Sequence, residues 1–256
     1  MITQIWLKEI RAELYTWKSL AWLVISSLLF SITCYLLLTD TELSLLDQTE
    51  LLLLLGKVII GIAILMVTID ASAIITSEFE NETAESLFLS PISLKNLVIG
   101  KLLASLTQWL LIYIVAVPYI IVASSGSNLA LAFLIYTALL GTISITGLIL
   151  IVFAVSLIYR SAKNTLTTSL IIVLICTLPA LFPATITGNA FISFFKSINP
   201  IDNIFASLDN VLVDYQTSLA QNLKYLLPLF GFLVAGFLML LLSMKKFNHD
   251  GVIKTN

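Results

Sequence analysis

The sequence predicts an all-α polytopic membrane protein: six transmembrane helices, an amino-terminal helix lying in the membrane interface, and a short helix on the cytoplasmic side. Three observations predict it. Hydrophobic residues make up 59% of the 256 positions and charged residues only 11%, where a soluble domain is roughly a quarter charged. The charges are clustered, which leaves apolar runs of about 20 residues, the length a helix needs to cross ~30 Å of hydrocarbon. The alternating pattern of a membrane barrel strand is absent. The whole chain, 1–256, reads as one transmembrane domain, and its net charge of −2 gives no reason to expect a nucleic acid.

In chain order, residues 3–18 read as an amphipathic helix. Trp6, Ile10, Leu14 and Trp17 recur at helical spacing, with Lys8, Glu9, Arg11 and Glu13 largely off that stripe. Tryptophan suits the headgroup layer, so the helix is expected to lie in the inner interface; the alternative is a cytoplasmic extension of the first span. Met1 to Ser19 is charged and amphipathic, so no cleavable leader is expected. The first span covers about 20–38. An acidic connection with Asp40, Glu42, Asp47 and Glu50 leads to the second, about 51–75. Lys57 sits near its outer end, where a long side chain snorkels, and Asp70 about a turn and a half from its inner end.

A polar stretch, 76–95, follows. The third span, about 97–123, carries Pro118, where a kink is expected. The fourth, about 129–159, is long enough to tilt, and Arg160 and Lys163 follow it. The fifth, about 166–184, is interrupted late by Pro179 and Pro183. Residues 188–225 are too polar to span and too aromatic for a plain linker, so short helices or a re-entrant piece are expected at the outer face. The last span, about 226–244, ends at Lys245-Lys246. Placing both termini in the cytoplasm puts Lys8, Arg11, Lys18, Lys95, Lys101, Arg160, Lys163, Lys245, Lys246 and Lys254 at the inner side, ten of the 13 basic residues, as the positive-inside rule requires.

The stretch from Thr76 to Lys101 is the one long polar interval in the first half of the chain. It holds Glu78, Glu80, Glu82 and Glu85, with no basic residue before Lys95. Ser77 and Glu80 have capping-box spacing, and Ser90 before Pro91 stops a helix. A short helix over about 78–89 is therefore expected, acidic at its start and apolar at Leu87-Phe88-Leu89. An apolar knob beside a negative patch reads either as a docking site or as a solvated loop whose apolar end tucks against the bundle.

The register Glu78, Glu80, Thr83, Glu85, Leu87, Leu89, Ser90, Pro91, Ile92, Ser93, Gly100, Lys101 resembles the loop between the second and third spans of the membrane subunits of type 2 ABC exporters. The match covers about two dozen residues. Phe79 stands where many relatives have Arg, and Glu82 where many have Gly, which makes this stretch more acidic. The resemblance implies a permease subunit of a bacterial or archaeal plasma membrane. In it the short helix would be a coupling helix, with Glu78, Glu80, Glu82, Thr83, Glu85, Leu87, Phe88, Leu89, Ser90 and Pro91 docking on an ABC ATPase subunit. Two ATPase copies and a second permease chain, identical or different, are implied as partners, along with membrane lipids. ATP and Mg would belong to the ATPase. The chain has no phosphate loop of its own: its Gly-Lys pairs, Gly56-Lys57 and Gly100-Lys101, lack the upstream glycine and the following Ser or Thr.

Asp70 has two readings: it lines a substrate path or relays protons, or it sits near the inner interface and bonds Ser or Thr on a neighbouring helix. Gly56, Gly61, Gly231 and Gly236 are expected to permit close helix packing. Cys34 and Cys176 lie in apolar runs and read as buried side chains, not as a disulfide or metal site. No H-E-x-x-H occurs, His249 lies in the polar tail and Asp70 makes no aspartyl pair, so no enzyme, catalytic residue, bound metal or bound cofactor is expected. The alternative to an exporter is a permease-like subunit that transmits force or senses a ligand without moving cargo.

Overall fold

The computed structural model describes residues 2–14, 16–39, 48–81, 94–125, 129–181, 190–212 and 219–253. Among these residues every regular element is helical: α1 (Ile2–Leu14), α2 (Trp17–Thr39), α3 (Gln48–Glu80), α4 (Leu94–Ala123), α5 (Ala130–Tyr159), α6 (Ala162–Leu181), α7 (Ala190–Ile198), α8 (Pro200–Leu212) and α9 (Leu219–Ile253). Helices α2, α3, α4, α5 and the Lys224–Phe247 part of α9 are long and apolar enough to cross a membrane, which makes this a polytopic membrane protein. The expected fifth span falls in α6, whose Ala162–Leu178 stretch is apolar but shorter than those five.

Burial orders the helices. In the most apolar window of α5, 72% of residues are buried, in α3 61%, and in α2 and α9 only 22%. So α5 and α3 form the centre, while α2 and α9 turn long apolar faces outward, including Val24, Leu28, Leu227 and Leu242. Apolar side chains facing outward cost nothing in lipid, so helix association has to come from close fit and interhelical hydrogen bonds. Where α5 meets α9, a Cβ on Gly236 would stand 2.7 Å from the Gly147 carbonyl oxygen, and one on Gly147 would stand 2.7 Å from Phe232 Cδ1. Between α4 and α5, fully buried Trp109 fills the space left by Gly141 and donates to Thr142 Oγ1 at 3.0 Å. Tyr113 donates to the Leu134 carbonyl at 2.6 Å.

Of the four glycines expected at close contacts, a Cβ on Gly236 would meet backbone and one on Gly56 would meet Phe133, whereas one on Gly61 or Gly231 would meet nothing within 4 Å among the described residues. The contacts that need glycine also involve Gly141 and Gly147. Composition alone does not tell a glycine facing a neighbour from one facing open space.

Several boundaries differ from expectation. The amphipathic helix stops at Leu14; Trp17 opens α2 and is 83% exposed, off any stripe shared with Trp6. Thr16 Oγ1 bonds the Ala12 carbonyl and the Thr16 carbonyl accepts the Ser19 N–H, and α2 begins as a separate element at Trp17. Helix α3 runs five residues past Ile75. At ~1.5 Å per residue its 33 residues reach ~50 Å, about 20 Å more than a hydrocarbon core. Pro118 and Pro228 lie inside α4 and α9 without ending them. The predicted outer segment 188–225 contains α7, α8 and the first turns of α9, and α9 continues beyond Met244 to Ile253.

Candidate functional site

The end of the bundle where α3 finishes is built around one buried cation. Lys101 lies two turns into α4 and is 1% exposed. An ammonium removed from water is costly unless its three donors are met. Its Nζ donates to the Ile74 carbonyl at 2.7 Å and to Glu78 Oε1 at 2.9 Å, and lies 3.2 Å from Glu9 Oε1. One side chain therefore joins α1, α3 and α4. Trp6 fastens α1 a second time by donating to Thr107 Oγ1 of α4 at 3.1 Å. Glu9, placed by its spacing largely on the solvated side of α1, instead faces the bundle, because Lys101 offers it a charge there.

Asp70 does not stand alone: its Oδ1 pairs with Lys18 Nζ of α2 at 2.7 Å, and no bond to a hydroxyl occurs among the described residues. The Lys18 side chain is 49% exposed and that of Asp70 14%, so the cation reaches in from the surface to a half-sheltered anion. The three ion pairs border one cavity of about 240 Å³, also lined by Thr16, Ser19, Ser77 and Gln108.

The first residues of the acidic stretch are engaged inside the chain. Ser77 through Glu80 continue α3, so the capping-box reading is overturned: Ser77 Oγ bonds the Ile74 carbonyl at 3.3 Å, a bond within the helix. A serine three residues before a glutamate fits a helix interior as well as a helix start. Glu80 Oε1 accepts the Ala162 backbone N–H at 2.7 Å, meeting one of the donors that a helix leaves open at its amino end. Phe79 lies 5.7 Å, ring to ring, from Phe247 of α9, and the Arg160 guanidinium stands 4.8 Å above that same ring. Arg160 closes α5 in the left-handed conformation, with φ 54°. The end of α3 is thus tied to α4 by Glu78, to the start of α6 by Glu80 and to α9 by Phe79. Glu82, Thr83, Glu85, Leu87, Phe88, Leu89, Ser90 and Pro91 lie outside the described residues.

Sequence reasoning counted Lys101 only as a motif and topology residue. The signal for more was present: a cation two turns inside an apolar helix needs an anion beside it, and Glu78 and Glu9 are among few carboxylates able to serve. At the opposite end, Lys57 is exposed and sits 5.8 Å over the Phe205 ring of α8. There Asp202 of α8 has a buried Oδ2 with no partner among the described residues; burial pushes its carboxyl above the usual carboxylate value, partly opposed by the Lys196 charge. Cys34 and Cys176 are free thiols, and no cluster of metal-ligating side chains occurs among the described residues. Compared with protein-family models and with curated proteins, the chain matches none.

Proposed function

We propose that the chain is the transmembrane permease subunit of an ATP-driven type 2 ABC exporter, forming the substrate pathway and driven by a separate ATPase. The observation that carries this reading is the fastening of α3. It leaves the apolar layer as one unbroken helix to Glu80, where Glu78, Phe79 and Glu80 bind it to α4, α9 and α6. A pull on residues 81–93 is therefore felt by four long helices, which is what a subunit moved from outside needs. The resemblance of 78–101 to the coupling segment of such permeases supplies the partner.

In this reading two permease chains pair in a bacterial or archaeal plasma membrane, with both termini cytoplasmic and two ATPase subunits beneath. ATP and Mg bind the ATPase. Closure of its dimer drags 78–89, α3 and α4 tilt, and a state facing the inner leaflet gives way to one open outward. Helix α1 lies in the inner interface and α6 is the fifth span. The test is the double substitution Leu87→Asp, Phe88→Asp in the complex with its ATPase partner. The bundle should keep its thermal unfolding profile while ATPase association and ATP-driven export in vesicles are lost. Survival of both activities would sink the reading.

A further inference from the structure

The cavity beside Lys101 contains more polar capacity than the protein itself uses. Its two ammoniums, Lys18 and Lys101, face three carboxylates, Glu9, Asp70 and Glu78, which leaves one negative charge in excess. Asp70 Oδ2 and Glu9 Oε2 take no donor among the described residues, since each residue is paired through its other oxygen. Gln108 is 3% exposed and Ser19 7%; both line the cavity, yet Gln108 Nε2 and Ser19 Oγ have no hydrogen-bond partner among the described residues. A buried amide N–H₂ without an acceptor is expensive. An occupant would therefore carry a positive charge for the spare carboxylate oxygens and an oxygen acceptor for Gln108.

A bare metal ion is disfavoured, because no group of three or more metal-ligating side chains gathers among the described residues. The volume of about 240 Å³ has room for a molecule of several heavy atoms. We infer that this cavity binds a small amino alcohol, its ammonium at Asp70 and Glu9 and its oxygen accepting from Gln108 and Ser19. Ethanolamine has that chemistry both free in solution and as the head group of a phospholipid. The site does not depend on the exporter reading, since binding is measured without nucleotide or ATPase.

The full chain, purified in detergent and in lipid nanodiscs, is titrated with ethanolamine hydrochloride while thermal unfolding is followed, with sodium chloride at equal ionic strength as control. A free amine gives a saturable rise in Tm in detergent. A head-group site gives the rise only in phosphatidylethanolamine nanodiscs and not in phosphatidylglycerol ones. In either arm Asp70→Asn removes the rise, and Gln108→Leu weakens binding about tenfold, the loss of one good hydrogen bond. Gln108 Nε2 gives up no partner among the described residues, so its variant decides the matter even if Asp70→Asn unfolds. No saturable shift from either source, an equal shift from sodium chloride, or an undiminished shift in Gln108→Leu would overturn the site.

Discussion

At one end of the bundle Lys101 holds Glu9, Glu78 and the Ile74 carbonyl; at the other, two asparagines hold the corner between α7 and α8. Asn199 caps α8 by accepting the Ile201 N–H at 2.9 Å and donates to the Cys176 carbonyl of α6 at 2.6 Å. Pro200, fixed in φ and lacking an N–H, takes the first helical position. Asn203 Nδ2 reaches back to the Lys196, Ser197 and Asn199 carbonyls at 3.3, 3.0 and 2.7 Å. The asparagine bonds are mostly short in sequence, so they fix a local turn whichever way the long helices lie. The lysine contacts join three separate helices, so they hold only while those helices keep their places. A movement of α3 against α4 and α1 is therefore opposed at the lysine end and barely felt at the asparagine corner.

The largest effect should come from breaking the lysine hub. Lys101→Met leaves Glu9 and Glu78 without their shared cation in a largely buried site, and losing one partner of a buried ion cluster costs about 3–5 kcal/mol. Thermal unfolding in detergent should show it, and adding Glu9→Gln and Glu78→Gln should restore most of the loss. A mild single substitution would mean that the hub is wetter than its 1% exposure implies. Next comes the corner. Asn203→Leu removes a donor from the Ser197 carbonyl, at about 1–3 kcal/mol for a buried unsatisfied group, while the Lys196 and Asn199 carbonyls keep the backbone N–H of Asn199 and of Asn203. Amide hydrogen exchange should rise in α7 and α8 while the ends of α1 and α4 keep their protection; loss of protection at both ends would erase the distinction between them.

The smallest effect is a pH dependence at the asparagine end. The folded carboxyl of Asp202 titrates above its unfolded value because burial disfavours its charge. Between the two values the folded chain holds the proton more tightly, so stability is greatest below the ordinary carboxylate value. It falls as pH rises through the raised folded value and is level above it. Asp202→Asn should flatten that slope in unfolding midpoints measured across acidic pH; an unchanged slope would place its origin elsewhere.

Much of the fold was legible in the sequence because lipid imposes a simple demand. A helix crossing hydrocarbon must be apolar for about 20 residues, and the runs before Leu38, Ile75, Ala123 and Tyr159 meet it. The ends were less legible. A helix satisfies its own backbone wherever it runs, so α3 passes from Ile75 into Ser77, Glu78 and Glu80 without any apolar signal. Of the site, the acidic stretch stood out by composition, but its first two glutamates turned out to serve the bundle, one bonded to Lys101 and one to the start of α6. Asp70 was marked as unusual for its place in an apolar run, yet Lys18, its partner, sits on another helix.

Apolar run length by itself determined that this chain is a set of long membrane-suited helices with one acidic interval between the second and third, because burying backbone in hydrocarbon leaves few alternatives. Only the tertiary structure decided which charges meet. The attraction between Lys101, Glu78 and Glu9 depends on distances set by how α1, α3 and α4 pack, and those distances are not written in the order of residues along any single helix.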